Sequence, residues 1–398
     1  MGKVFITGLG TISSLGLNVQ ENLAALREGR SGIGKAKHFK SKYTENLNFA
    51  EIDLSDEALR VHCGELDDRE LTRTTLIAIS AFSEAIKDAQ LTRDELSSFS
   101  TAFISSSTVG GMCYTDHLYA DANMKENPSN YVRSYEGSDH TRRIVWKFGL
   151  TGFTDTINTA CSSSANAIML GAKLIQSGRA QRVIVGGADC LAKYTVNGFN
   201  SLMILSENPC KPFDQLRDGL TLGEAAAYLV LESEEVAKHK RKYAEVSGYG
   251  NSSDAFHPSA TSEEAIGPIK AMERALETAK LTPEHIHYIN AHGTGTPNND
   301  STESFAFSQV FRSVPPYNST KSYTGHTLAA SGAIESIFSI LSMIHSELYP
   351  SLNCENPIEE FEFKPIDKYI QGREIINVMS NSFGFGGNCT SLILSRCI

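Results

Sequence analysis

The sequence predicts an α/β protein with a parallel-rich sheet covered by helices, and it predicts the same unit twice. Three observations carry this. Strand-like apolar runs alternate with helical patterns along the 398 residues, which places crossover helices on the faces of a sheet. Each half opens with a strand that runs into a glycine pair, Gly8-Leu9-Gly10 and Gly248-Tyr249-Gly250. A helix that begins in small residues recurs as well: the run from Cys161 to Leu170 matches the run from His326 to Glu335 in position and texture.

The length allows two or three domains at roughly 100–200 residues each, or one large fused body. A hydrophobic content of 41% and a charged content of 21% belong to an ordinary globular chain. The net charge of -10 disfavours nonspecific nucleic-acid binding. No apolar run approaches the ~20 residues of a membrane span. The first residues, Met-Gly-Lys-Val-Phe-Ile, enter a strand without a signal-peptide pattern. The cysteines form no CxxC pair and no cysteine–histidine spacing that suggests zinc. Free thiols in a reducing cytoplasm, with no metal, are the expectation.

Lys3 to Thr11 reads as a buried strand, and Val19 to Arg27 as a helix stopped by Gly29 and Gly32. Lys35, Lys37, Lys40 and Lys42 form the densest basic cluster, in a solvated loop. Arg69 to Ala89 has helical spacing of apolar residues, from Leu71 through Leu76, Ile79 and Phe82 to Ile86. Thr101 to Ser105 is a strand running into the small-residue loop Ser106 to Gly111. Tyr114 to Arg143 has no regular pattern and suits a cap over a pocket or a subunit contact. Thr154 to Asn158 is a short strand, and Ala165 to Gln176 an apolar helix. Arg182 to Val185 is a strand followed by a turn at Gly186-Gly187-Ala188-Asp189. After turn-rich Lys211 to Gly219 comes the buried strand Glu224 to Glu232. The charged connector Glu234 to Lys242 divides the chain into halves 1–243 and 244–398.

The second half restarts with the strand Ala244 to Gly250 and the helix Ala265 to Ala279. His287 to Ala291 is a strand opening onto His292-Gly-Thr-Gly-Thr-Pro297, and Thr302 to Phe311 is a helix. Lys321-Ser-Tyr-Thr-Gly-His326 leads into a long helix, Thr327 to His345. The strand Ile375 to Met379, a glycine loop from Asn381 to Asn388 and the strand Thr390 to Leu394 close the chain.

Cys161 lies between a strand and a helix N-terminus, where unpaired N–H groups and the helix dipole favour an anion. Such a thiolate is an activated nucleophile; a small buried hydrophobe is the other reading of the same residue. Duplication would bring Cys161 and His326 together at two facing helix starts.

Four motifs then resemble the signature set of the β-ketoacyl-acyl-carrier-protein synthases. They are Thr159-Ala-Cys161-Ser-Ser, Asn290-Ala-His292-Gly-Thr-Gly-Thr296, Lys321-Ser-Tyr-Thr-Gly-His326 and Asn381-Ser-Phe-Gly-Phe-Gly-Gly387. The runs Pro212 to Asp214, Arg217 to Gly219, Gly223-Glu224 and Ser252 to Asp254 resemble the same group. The similarity spans Val4 to Leu394 and is closest to the elongating, Cys-His-His members. It implies the thiolase-like fold, two duplicated βαβαβαββ halves in five layers α/β/α/β/α, and usually a homodimer. It also implies a decarboxylative Claisen condensation, in which an acyl group moves to Cys161 and is attacked by the enolate of a malonyl-carrier. No cofactor is implied beyond the phosphopantetheine of the acyl carrier protein.

By this resemblance His292 and His326 donate hydrogen bonds to the developing enolate. The backbone N–H groups of Cys161 and Phe385 form the oxyanion hole, and Phe385 gates the acyl pocket. Lys321 is a buried charge paired with Glu335, which otherwise stands costly and alone in an apolar helix. Thr294 and Thr296 bind the pantetheine arm. Gly384 and Gly386 allow the unusual backbone of the gate loop. Val109 matches a position lining the acyl tunnel, and Phe199 lies near the site; on the residues alone both read as core.

The chain departs from the family in places. It has Asn388-Cys389 where threonine and asparagine are usual, and Cys389 reads as structural. Ala225 replaces a glycine after Glu224, and Ser201 to Leu205 lacks the arginine often used to dock the acidic carrier. Tyr131 to Trp146 is unlike the common tunnel floor and dimer contact. These departures imply a divergent branch, with an aryl-polyene or polyketide-type pigment ketosynthase, paired with a related subunit, as the alternative. An initiating synthase would carry asparagine in place of His326, a thiolase a second cysteine before the last glycines, and a chain-length factor no nucleophile.

Overall fold

The computed structural model describes residues 2–65 and 70–397, with Asn130 lacking a described side chain. The first half runs β1 (Val4–Ser13), α1 (Val19–Glu28), α2 (Asp56–Cys63), α3 (Arg73–Asp88), α4 (Arg93–Leu96) and β2 (Thr101–Ser106). It continues with α5 (Thr115–Met124), α6 (Asp139–Phe148), β3 (Thr154–Ile157), α7 (Ser163–Gln176), β4 (Arg182–Asp189), α8 (Lys193–Ser201) and β5 (Ala225–Ser233). The second half runs β6 (Ala244–Ser253), α9 (Ile266–Ala279), β7 (Tyr288–Asn290), α10 (Pro297–Val310), β8 (Tyr317–Asn318), α11 (Lys321–Thr324) and α12 (Ser331–His345). A short β9 (Glu347–Leu348) and β10 (Ile370–Gln371) hairpin precedes β11 (Asn377–Phe383) and β12 (Asn388–Ser395).

Ten strands are hydrogen-bonded in the order β3-β2-β4-β5-β1-β6-β12-β11-β7-β8, a palindrome about the β1–β6 contact. Within each half the three crossover strands are parallel, and the last strand is antiparallel to both neighbours. The halves therefore each read βαβαβαββ. Helix α3 covers the outer face of β1 and β5, and α9 the outer face of β6 and β12. Helices α7 and α12 pack on one another and on strands of both half-sheets. The layers are α/β/α/β/α, as the resemblance implies.

The duplication is visible atom by atom at the opening strands. A Cβ on Gly8 would come 2.5 Å from the Ala85 carbonyl oxygen, and one on Gly10 2.1 Å from that of Ala81. In the second half a Cβ on Gly248 would come 2.4 Å from the Ala275 oxygen, and one on Gly250 2.0 Å from that of Ala271. Alanines four apart on α3 and on α9 thus press backbone to backbone against a Gly-x-Gly strand.

The largest core joins both halves. Ile168 and Ala172 of α7, Ile337 and Leu341 of α12, Val185 and Leu229 of the first sheet and Val378 and Leu392 of the second are buried in one cluster. Separate outer cores lie under α3 and under α9 and α10.

Several boundaries differ from the sequence reading. Gly186 and Gly187 belong to β4 rather than a turn. Their glycines serve close approach, since Cβ atoms there would meet the Ala227 oxygen at 2.0 Å and Ser106 Oγ at 2.1 Å. Asn381 to Phe383 extend β11 instead of opening a loop. Helix α10 starts at Pro297, ahead of the expected Thr302, because proline at the first helical turn needs no partner for its missing N–H. The helix expected from Thr327 begins as a 3-10 turn and becomes α only at Ser331. Tyr114 to Arg143 contains α5, a 3-10 segment and the start of α6. The predicted start of α3 at Arg69 lies outside the described residues. Leu328–His345 is long and apolar enough to cross a membrane by length and composition, and it is buried as the central helix of the molecule.

Candidate active site

Small residues bring the two central helices close enough to share one site. A Cβ on Gly332 of α12 would lie 2.6 Å from the Ala165 backbone nitrogen of α7. The Ala333 N–H donates to Ser164 Oγ at 2.9 Å. Cys161 sits just ahead of α7, whose N-cap is Ser162. The turn is held by the Thr159 N–H to Ser163 Oγ, 2.8 Å, and by Ser163 Oγ donating to the Ala160 carbonyl, 2.6 Å. His326 occupies the equivalent turn before α12, its N–H on the Thr221 carbonyl at 2.7 Å. His292 follows β7, where both carboxylate oxygens of buried Glu303 accept the N–H groups of His292 (2.9 Å) and Gly293 (2.8 Å). The Cys161 sulfur and imidazole nitrogens of His292 and His326 all lie within 4.8 Å of one another, and all three residues are buried.

The tautomers follow from the partners. His326 Nδ1 accepts the Leu328 N–H at 3.1 Å. His292 Nδ1 faces the Lys321 ammonium at 3.3 Å, which can only donate. In each neutral ring the other nitrogen, Nε2, therefore carries the proton. Burial and the Lys321 charge hold both imidazoles well below their ordinary pKa, with His326 adding to the effect on His292. Lys321 Nζ also donates to Glu335 Oε1 at 2.5 Å and to the His292 carbonyl at 2.6 Å. Burial raises the Glu335 carboxyl to about 7, against the pull of Lys321.

The helix start was expected to make Cys161 a thiolate. Burial works against it and pushes the thiol up to about 11, with Lys321 and hydrogen bonding from the backbone N–H groups of Phe385 and Cys161 itself pulling the other way. Two backbone N–H donors are aimed at the sulfur. Sulfur with two imidazoles is also a donor set that a divalent transition metal accepts. The Lys321 ammonium against His292 opposes a second cation there.

A cavity of about 240 Å³ opens on the trio and is lined by Thr294, Thr296, Phe199, Gly384 and Phe385 among others. Phe199 and Phe385 stack at 5.7 Å with their planes 21° apart. They separate this cavity from an open groove of about 730 Å³, walled by Met112, Tyr194, Asn197 and Leu202. Thr294 and Thr296 hydrogen-bond each other through their hydroxyls, 2.8 Å. Gly386, at φ +84°, donates its N–H to the Pro258 carbonyl at 2.8 Å and is not on the cavity wall. Val109 is fully buried in the outer core under α3 and lines neither space. Cys389 is buried with Phe383 and Ala271. Where the chain lacks a docking arginine, Leu202 and Met203 are exposed, the latter by 88%.

Sequence reasoning missed the acids that shape the site. Asp300 accepts N–H groups of Phe213, Thr294 and Gly295, and Glu303 fixes the His292 turn. Asp189 accepts from Thr108, Val109 and Ala329, joining β4 to the turn after His326. The Thr296-Pro297 step was the available signal for the first two, because it marks a helix start at which acids two to six residues on face the preceding loop.

Comparisons with known proteins agree with this geometry. Residues 1–237 match the family model for the beta-ketoacyl synthase N-terminal domain and residues 243–355 that for its C-terminal domain. The 3-oxoacyl-[acyl-carrier-protein] synthase 2 of Staphylococcus aureus (strain COL) is 33% identical over 410 residues, covering 99% of this chain and 98% of that protein. The protein of the same description in Coxiella burnetii is 33% identical over 413 residues, with coverage of 99% and 98%. Among solved structures, the ishigamide ketosynthase/chain length factor is similar at a TM-score of 0.93 and 29% identity, over 100% of both chains. The ketosynthase ApeO, in complex with its chain length factor ApeC from Xenorhabdus doucetiae, is similar at 0.84 and 32% identity, over 100% of this chain and 98% of that one.

Proposed function

Because the chain belongs to the β-ketoacyl synthase family, we propose that it elongates an acyl chain by two carbons, with Cys161 as nucleophile and His292 and His326 as enolate donors. The observation that supports these roles is the convergence of one sulfur and two Nδ1-held imidazoles within 4.8 Å. In the first half-reaction the Cys161 sulfur attacks the carrier thioester. The tetrahedral oxyanion is held by the N–H groups of Cys161 and Phe385, and the departing pantetheine thiolate takes the proton that Cys161 gave up. In the second, the bond between the malonyl carboxylate and its α-carbon breaks and releases CO2. The enolate oxygen is held by the two Nε2–H groups, and its carbon attacks the acyl carbon on Cys161. The Cys161 thiolate that leaves takes one proton from solvent, the proton that the decarboxylative condensation consumes overall.

The Phe199–Phe385 stack acts as the gate between the malonyl cavity and the groove that receives the acyl chain, and Thr294 and Thr296 hold the pantetheine arm. Val109 acts on the tunnel only from behind its wall, as core support. The substrates arrive on an acyl carrier protein, no separate cofactor or metal is assigned, and the partner subunit is a second copy or a related ketosynthase-like chain. We place the halves at 1–243 and 244–398, a division supported by the palindromic strand order, and the protein in the cytoplasm, supported by its eight free cysteines. A pigment-pathway substrate would use the same residues, and no feature of the site favours it.

The test is acylation by several acyl-carriers followed by condensation with malonyl-carrier. Wild type forms an acyl-enzyme and a β-ketoacyl product, and Cys161→Ala forms neither. His326→Asn slows malonyl decarboxylation by about 100-fold, the cost of losing one charge-stabilising donor, with a smaller effect on acyl transfer. A wild type that is never acylated sinks the assignment, and equal loss of both steps in the histidine variant sinks the division of roles.

A further inference from the structure

We propose that Asn388 is a positioning residue that sets the spacing between the two backbone N–H groups of the oxyanion hole, a role that rests on the reaction assigned above. Its side-chain oxygen accepts from Ser162 Oγ at 2.8 Å, Asn166 Nδ2 at 2.8 Å and Asn251 Nδ2 at 2.9 Å. Ser162 is the neighbour of Cys161. The Asn388 carbonyl accepts the Gly384 N–H at 2.8 Å, closing the loop that carries Phe385. Gly384 is the neighbour of Phe385. One residue therefore grips the chain beside each oxyanion donor, one donor on the first half and one on the second.

The two stretches leave little slack. A Cβ on Gly384 would lie 2.6 Å from the Thr159 carbonyl oxygen and 3.2 Å from Ser162 Oγ. Asn251 and Asn166 brace the grip, each hydrogen-bonding Thr390 as well, at 2.9 and 2.8 Å. A threonine, usual at this position in the resemblance, carries its oxygen one bond nearer the backbone, so it does not meet all three donors where the amide oxygen does. In this chain the asparagine takes over the clamp between α7 and β12.

A misplaced donor costs catalysis because oxyanion stabilisation depends on donors fixed before charge develops. The experiment compares wild type, N388A and N388T as full-length proteins. It reads single-turnover acylation of Cys161, the KM for acyl-carrier, malonyl decarboxylation and the melting temperature. N388A is expected to slow acylation by about 10- to 100-fold, the order of a displaced rather than a removed donor, with KM and decarboxylation close to wild type. N388T, which restores one acceptor, recovers part of the acylation rate. Unchanged acylation in N388A overturns the proposal. So does an equal slowing of acylation and decarboxylation in an N388T protein that melts like wild type, because that outcome describes a merely structural residue. Failure of the wild type itself to be acylated would instead overturn the assigned reaction.

Discussion

At Cys161 two opposing effects meet, and their balance decides how the enzyme rests. The helix start favours the thiolate, as do Lys321 and two backbone N–H groups, whereas burial favours the thiol and pushes it up to about 11. Since the thiolate is the reactive form, alkylation of the free enzyme by iodoacetamide is expected to rise about tenfold per pH unit through neutrality and to level off only near pH 11. Replacing Lys321→Met together with Glu335→Gln leaves no buried charge behind and removes the nearest cation. The midpoint should move further up, and alkylation at pH 8 should fall. A wild-type midpoint below the ordinary range of ~8.5 would show the helix start to dominate, and an unmoved midpoint in the double variant would remove Lys321 from the tuning. The residues that meet in the site were legible because each sits in a short run with few alternatives: cysteine before small residues, histidine beside glycine, glutamate inside an apolar helix. Asp300 and Glu303 were signalled only by the Thr296-Pro297 helix start. Asp189 and Asn388 had no local signal, because their partners, among them the Ala329 N–H and the side chains of Ser162 and Asn166, lie more than 100 positions away.

At the scale of elements, the distance from Cys161 to His326 is set where α7 crosses α12. Gly332→Ala puts a methyl group 2.6 Å from a backbone nitrogen that cannot step aside alone. Overpacking of this kind should cost about 1–3 kcal/mol in a melting experiment. Condensation should fall further than the stability loss alone accounts for, since a small misplacement of reacting groups is expensive. A variant that melts and condenses like wild type would show that the contact does not set the spacing. Glycine explains one of the boundary errors in the sequence reading. Gly186 and Gly187 look like a turn because glycine usually supplies turns, yet here they clear space in β4 for Tyr228, Ser106 and the Ala329 carbonyl. Tyr114 to Arg143 concealed α5 because none of its residues is buried, so the apolar period that marks a helix is missing.

For the whole molecule, the largest core belongs to neither half. Ile168 and Ala172 need Ile337 and Leu341 across the central layer, and strands of both sheets close the same cluster. Residues 1–243 or 244–398 expressed alone should therefore expose a large apolar face, bind a hydrophobic dye and show little protection from hydrogen exchange. A half that melts cooperatively on its own would contradict a shared core. The duplication was legible from the matching Gly-x-Gly strands and small-residue helices. The palindromic pairing and the fusion of the half-sheets at Phe5–Glu245 and Ile6–Ala244 were not, because strand order depends on contacts between residues more than 200 positions apart.

The equivalence of the two turns before α7 and α12 bears on how such a protein can change its trade. By the roles proposed above, the turn before α7 holds the group that binds the cargo and the turn before α12 holds one that discharges the extender. A change in the first turn leaves a protein that can still release CO2 but has nothing to join it to. A change in the second leaves one that can load cargo and never lengthen it. On that reading each skill rests on its own turn, and a single substitution separates a chain with both from a chain with one.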